Sequence, residues 1–129
     1  MALDPAELPA EARAFLTERH LATLTTLRPD GSPHVVPVGF SYDAGARLVR
    51  IITFDPSTKV ANARRGGRAV VCQIDGPRWL SLEGTVSVTD DPDRVAAAVA
   101  GYAARYRRPG ERDNRVAIEI SVDRILGRG

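Results

Sequence analysis

Near the C-terminus, Val116, Ile118, Ile120 and Val122 alternate with Ala117, Glu119, Ser121 and Asp123 without a break. A period of two puts one set on each face of a strand and fits no helix. The same habit recurs upstream. Residues 20–27 read as a threonine-rich strand, and Asp30-Gly31 turns it into a second strand over 33–40, because both residues tolerate positive φ. Pro37 removes a ladder donor there and marks an edge, a bulge or a barrel corner. A third strand spans 48–54 after the turn SYDAGAR, a fourth spans 69–75, and Gly76-Pro77 leads into a fifth over 78–88. In the fifth, Leu80, Leu82, Val86 and Val88 share a face with Gly84, while Trp79, Ser81, Glu83 and Thr85 take the other.

Three helical stretches separate these strands. Residues 9–19 open with Ala12, Phe15, Leu16 and Arg19 at helical spacing. Ser57 is a good N-cap and Gly66-Gly67 a good stop for a short helix over 58–65. Asp90-Asp91-Pro92-Asp93 starts a longer helix running to about Tyr106, with Val95, Val99, Tyr102 and Tyr106 on one stripe. Six strands with short inserted helices predict a mainly β (α+β) chain folded as a small antiparallel barrel. Its 129 residues suit one domain over 1–129.

Composition excludes several classes. With 43% hydrophobic and 26% charged residues the chain is neither fibrous nor disordered. A lone Cys72 forbids an internal disulfide and a cysteine metal cluster. Its uncharged stretches fall far short of the ~20 apolar residues that span a bilayer, and the acid- and proline-bearing start does not read as a signal peptide. A soluble, cytoplasmic protein is the expectation, with no membrane partner. The basic residues are clustered: 59–82 hold five against one acidic, and 105–129 hold seven against four. All but Lys59 are arginines, whose forked guanidinium suits phosphate and carboxylate. Solvated faces account for such blocks equally well. Aromatics at 5% give little stacking platform, so nucleic acid is not expected as a partner.

Side-chain chemistry is sparse. No carboxylate lies at ligand spacing from His20 or His34, so no metal site is expected. Cys72 sits in the apolar run VVCQI and reads as an inert thiol. There is no nucleophile elbow and no glycine-rich phosphate loop. No catalytic side chain is identified, which points to a bound cofactor carrying the reaction. Ser57-Thr58-Lys59 offers two hydroxyls and an ammonium at a helix start, a candidate anion site. A simple helix cap followed by a solvent-facing lysine explains the same three residues.

The segments HLATLTTLRPDGSPHVVPVGF, VRIITFDPSTKVANARR and VVCQIDGPRWLSLEG, in that order, resemble the split-barrel flavin and deazaflavin oxidoreductases related to pyridoxamine 5'-phosphate oxidase. The likeness continues through GYAARYR and VAIEISVDRILG, and within the family is strongest to the deazaflavin-dependent biliverdin reductases. The resemblance implies a six-stranded split barrel that binds coenzyme F-420 (8-hydroxy-5-deazaflavin), with FMN as the alternative. It implies that Val36, Pro37, Val38 and Gly39 lie along the cofactor ring, that Thr53, Ser57, Thr58 and Lys59 hold its phosphate with Asn62 in reach, and that Arg78 and Trp79 contact ring or tail. Arginines around 64–78 and 105–115 are candidates for an acidic tail or substrate propionates. The family pattern is a homodimer with its sites at the interface and a small-molecule substrate. Flavin-using oxidases carry a basic residue and a glutamine where this chain has Arg78-Trp79. That departure favours reduction: hydride from reduced F-420 to a conjugated substrate, with biliverdin to bilirubin as the candidate. An FMN oxidase or flavin reductase, and a non-catalytic cofactor or tetrapyrrole binder, remain the alternatives.

Overall fold

The alternating C-terminal run is only the first half of a longer strand. In the computed structural model, which describes residues 2–129, the strands are β1 (Ala2–Leu3), β2 (Ala22–Leu27), β3 (Pro33–Val38), β4 (Ser41–Asp43), β5 (Leu48–Phe54), β6 (Arg68–Asp75), β7 (Arg78–Thr89) and β8 (Arg115–Arg128). The helices are α1 (Ala10–Phe15), α2 (Thr58–Arg64) and α3 (Pro92–Arg105). All pairings are antiparallel, in the order β3-β2-β6-β7-β8-β5-β4, with β1 also on β8. β3 and β4 are left as open edges, so the curled sheet is a split barrel. Leu24, Val49, Ile51, Val71, Leu80, Leu82, Ile118 and Ile120 fill it and are fully buried. Among the described residues, no helix is long and apolar enough to cross a membrane.

The six expected strands are all present, and two short ones join them. Residues 41–43, expected within a turn, form β4 against β5, and residues 2–3 pair with β8. Such short segments show no period for a sequence pattern to register. The expected first helix ends at Phe15, where Leu16 caps it, rather than at Arg19. Pro37 does sit on an edge strand, opposite Thr23.

β8 outruns its pattern because it carries a bulge. Glu83 pairs with Arg124 but Gly84 pairs with Val122, leaving Asp123 as an extra residue. Val122 and Ile125 are therefore both buried, although three residues apart they belong on opposite faces of a regular strand. Gly84 makes the close approach possible: a Cβ there would lie 1.8 Å from the Ser121 carbonyl oxygen.

α3 covers the outer face of β8. Glu119, 2% exposed, pairs there with Arg94 of the helix. The Val95, Val99, Tyr102, Tyr106 stripe is half-buried; Ala98 and Arg105 are the buried residues of α3. The outer face of β3-β2-β6-β7 has no such cover. Leu27, Val35, Ile74 and Trp79 stand exposed on it.

Because backbone rather than a mobile side chain opposes Gly84, Gly84→Ala is expected to cost about 3 kcal/mol of stability. Urea denaturation checks it, and an unchanged midpoint refutes the bulge argument.

Candidate functional site

A cleft of about 430 Å³ opens where the ends of β3 and β5, Lys59 of α2, Tyr102 of α3 and the 107–115 segment meet. One wall exists because residue 39 lacks a side chain. A Cβ on Gly39 would come within 3.0 Å of the Tyr102 ring and 3.1 Å of the Tyr106 ring. Tyr106 fixes this corner by donating its hydroxyl proton to His20 O at 2.6 Å and accepting from Phe40 N at 3.1 Å. Burial pushes the Tyr106 phenol up, so it stays protonated.

The opposite wall is cationic. Lys59 Nζ lies 5.5 Å from the centre of the Phe54 ring, and the Arg112 guanidinium lies 4.3 Å from it. Arg107 and Arg115 also line the cleft. The segment is anchored: Asp55 N donates to Asn114 O at 3.0 Å, Asn114 Nδ2 returns to Asp55 O at 3.1 Å, and Arg115 donates to Gly110 O at 2.7 Å. Among the described residues, Lys59, Arg107 and Arg112 take part in no ion pair. Partial burial holds the Lys59 ammonium below its ordinary 10.5, with no carboxylate to raise it again. Glu111 is the one acid on the cleft wall. Such a surface is suited to a ligand with more than one negative charge.

Pro37, Val38, Gly39, Thr53 and Lys59 of the residues singled out in the sequence line this cleft together. The others stand elsewhere. Val36 packs against the core. Ser57 Oγ accepts from Val60 N at 3.3 Å as the N-cap of α2, and Thr58 is exposed beside it. Asn62 is buried with its amide engaged, donating to Thr26 Oγ1 at 3.2 Å and accepting from Arg65 at 2.8 Å. Arg78 makes two 2.9 Å bonds to Glu18, another to Asp75, and stacks 4.4 Å from the centre of the Phe15 ring. Trp79 belongs to the uncovered sheet face, paired with Ile74.

The arginine blocks divide in the same way. Arg64 pairs with Asp55, and Arg68 with Glu83 and Asp123. Arg105 is buried in the fold. Arg107, Arg112 and Arg115 alone of the second block face the cleft. The sequence reading gave Phe54 and Tyr102 no place in the site; Phe54 stands some fifty residues before the basic loop it meets, so no local pattern joins them. That reading also found no carboxylate at ligand spacing from a histidine, yet the fold draws ligand atoms of Glu18, His20 and Asp75 within 4.8 Å of one another. Arg78 bridges those two carboxylates and, with His20, holds Glu18 down to about 2. Cys72 is half-buried and its thiol is pushed up by burial, as an inert thiol should be.

Residues 8–129 match the family model described as pyridoxamine 5'-phosphate oxidase. A relative from Mycobacterium tuberculosis, an F-420H(2)-dependent biliverdin reductase, is 53% identical over 93% of this chain and 88% of its own. Two solved structures share the fold. A conserved hypothetical protein from Mycobacterium tuberculosis superposes with a TM-score of 0.77 at 24% identity, over 95% of this chain and 86% of the other. An F-420 reductase gives 0.74 at 23% identity, over 92% and 98%.

The cleft's electrostatics predict a pH dependence. An anion bound beside Lys59 favours the protonated ammonium, so binding should be full at neutral pH and weaken as pH rises through the lowered Lys59 value. Titrating tripolyphosphate from pH 7 to 10 should reveal this alkaline loss, and Lys59→Met should abolish it. Loss of one charge-assisted contact worth about 1.5–3 kcal/mol should also weaken neutral-pH binding roughly ten- to a hundredfold.

Proposed function

The chain belongs to the pyridoxamine 5'-phosphate oxidase family, and from that premise we propose that it is a reductase using reduced coenzyme F-420, with biliverdin as substrate and bilirubin as product. The observation that carries this reading is the set of cations without acidic partners, Lys59, Arg107 and Arg112, joined by Arg115 in one cleft. The coenzyme has a phosphate and an acidic glutamate tail, and the donors match that charge. FMN has one phosphate and no tail, which would leave most of those arginines without a ligand group. The named activity of the 53% identical relative supports the same choice.

In this reading Lys59 and Thr53 hold the phosphate, and Arg107, Arg112 and Arg115 hold the acidic tail. Pro37, Val38 and Gly39 border the ring, with Tyr102 closing the cleft from α3. When bound, the reduced deazaflavin would supply a hydride for the central bridge carbon of biliverdin, with the balancing proton going to a pyrrole nitrogen. The protein's contribution is to orient the two molecules and exclude water. Neither histidine lines the cleft; Tyr102 is the phenol on its wall.

The uncovered face of β3-β2-β6-β7 supports a homodimer. Leu27, Val35, Ile74 and Trp79 form an apolar surface there, and a second copy of the same chain would bury it with its own equivalent face. Trp79 on that face would then approach the partner's cofactor, whereas Arg78 is committed to Glu18 and Asp75 within its own chain. A single unpaired Cys72 agrees with a cytoplasmic enzyme.

Two measurements test these proposals. Stopped-flow mixing of the protein, reduced F-420 and biliverdin should yield bilirubin with matching deazaflavin oxidation, while reduced FMN should not substitute. Efficient turnover with FMN alone would overturn the cofactor assignment. Ile74→Glu should convert a dimer to a monomer in analytical ultracentrifugation; a wild-type monomer would contradict the interface.

A further inference from the structure

Phe54, the last residue of β5, has the cations of the cleft gathered about its ring. The register of the sheet puts it opposite Arg115, the first residue of β8. Such cross-strand neighbours hold their Cβ atoms about 4.5–5.5 Å apart. The Lys59 ammonium lies 5.5 Å from the ring centre and the Arg112 guanidinium 4.3 Å from it. All four residues line the cleft. Like charges brought this close repel one another. Elsewhere in the chain carboxylates hold such cations in place. Arg78 shows the contrast: it lies 4.4 Å from the centre of the Phe15 ring, but Glu18 and Asp75 take up its donors. Among the described residues, no carboxylate pairs with Lys59, Arg112 or Arg115.

We infer that Phe54 is the positioning residue of the anion site: its ring holds Lys59 and Arg112 in place while leaving their charge and donors to the ligand. The negative face of an aromatic ring attracts a cation, yet the ring carries no net charge to compete with an anion. A guanidinium lying over a ring keeps its N–H groups, which radiate in its own plane, for hydrogen bonds. A carboxylate at position 54 would also collect these cations, but it would cancel the field that draws the ligand. The inference rests on the cleft being an anion site, whichever coenzyme fills it, and it gives Phe54 no contact with the reacting atoms.

Phe54 is 38% exposed, so its ring can be altered without opening the core. The full chain is prepared as Phe54→Leu, as Phe54→Tyr, and with Phe54 replaced by pentafluorophenylalanine, which keeps the ring's shape but strips the negative charge from its face. Each is titrated calorimetrically with tripolyphosphate, and separately with F-420 by fluorescence. Phe54→Tyr should bind tripolyphosphate as wild type does. The fluorinated ring and Phe54→Leu should each weaken it by roughly three- to tenfold, with the melting temperature unchanged. In an Arg112→Gln background the same two changes should have a smaller effect, since one of the cations held by the ring is gone. Affinity indifferent to fluorination, a Phe54→Tyr loss as large as that of Phe54→Leu, or equal losses in both backgrounds overturns the inference, because the ring would then only fill space. Wild type that binds no tripolyphosphate overturns it together with the anion-site reading. F-420 left unbound by a chain whose tripolyphosphate affinity follows the ring's charge removes the coenzyme assignment and leaves the role of Phe54 standing.

Discussion

The guanidinium of Arg105, buried in the last turn of α3, is the contact on which the arrangement of the site depends. It donates to Glu18 O at 2.8 Å, to Phe40 O at 2.9 Å and to Gln73 Oε1. Gln73 Nε2 in turn donates to Phe15 O at 2.9 Å. One cation thereby joins α3, the end of α1, the segment after β3 and the centre of β6. Its faces lie against the rings of Phe40 and Tyr106, 4.7 and 5.3 Å from their centres. Burial lowers its pKa, yet a guanidinium starts so high that it stays charged. A charge taken from water costs several kcal/mol unless its donors are met, and here carbonyl and amide oxygens meet them. With α3 pinned at this point, Tyr102 is set against Gly39.

The same basic character serves two opposite ends along this chain. Arg64, Arg68, Arg78 and Arg94 are each matched to carboxylates, and they tie elements together. In the cleft, Lys59, Arg107 and Arg112 lack such partners, and partial burial lowers the Lys59 ammonium. Exposed charges separated by more than about 8 Å are screened at physiological salt, so this surface acts on a ligand at close range. Polyanion binding, rather than net charge, is what the distribution supports.

Period-two patterning made most of the sheet legible in the sequence, because β2, β5, β6 and β7 each bury alternate residues; in the first half of β8 the apolar residues alternate, but Val116 to Ile120 are all buried, with α3 over the second face. It failed where geometry breaks the period. The bulge at Asp123 moves the buried set from Val122 to Ile125, which hides the second half of β8. In α3 the stripe stands at the expected helical spacing, but its residues are only half-buried. Lys59 and the β3 segment were legible through their family resemblance. Arg105 was not, because a buried arginine that bonds carbonyls looks in sequence like any other member of a basic block. Asn62 illustrates the converse: its spacing from Lys59 suggested a ligand contact, but the fold engages its amide with Thr26 and Arg65.

The account stands on the cationic cleft being the deazaflavin site, and a crystal structure of the protein with F-420 tests it most directly. The phosphate should lie within hydrogen-bond distance of Lys59, with the acidic tail among Arg107, Arg112 and Arg115 and the ring beside Pro37, Val38 and Gly39. A coenzyme bound away from Lys59, or with its tail directed to the Arg64–Arg68 side of the barrel, would contradict it.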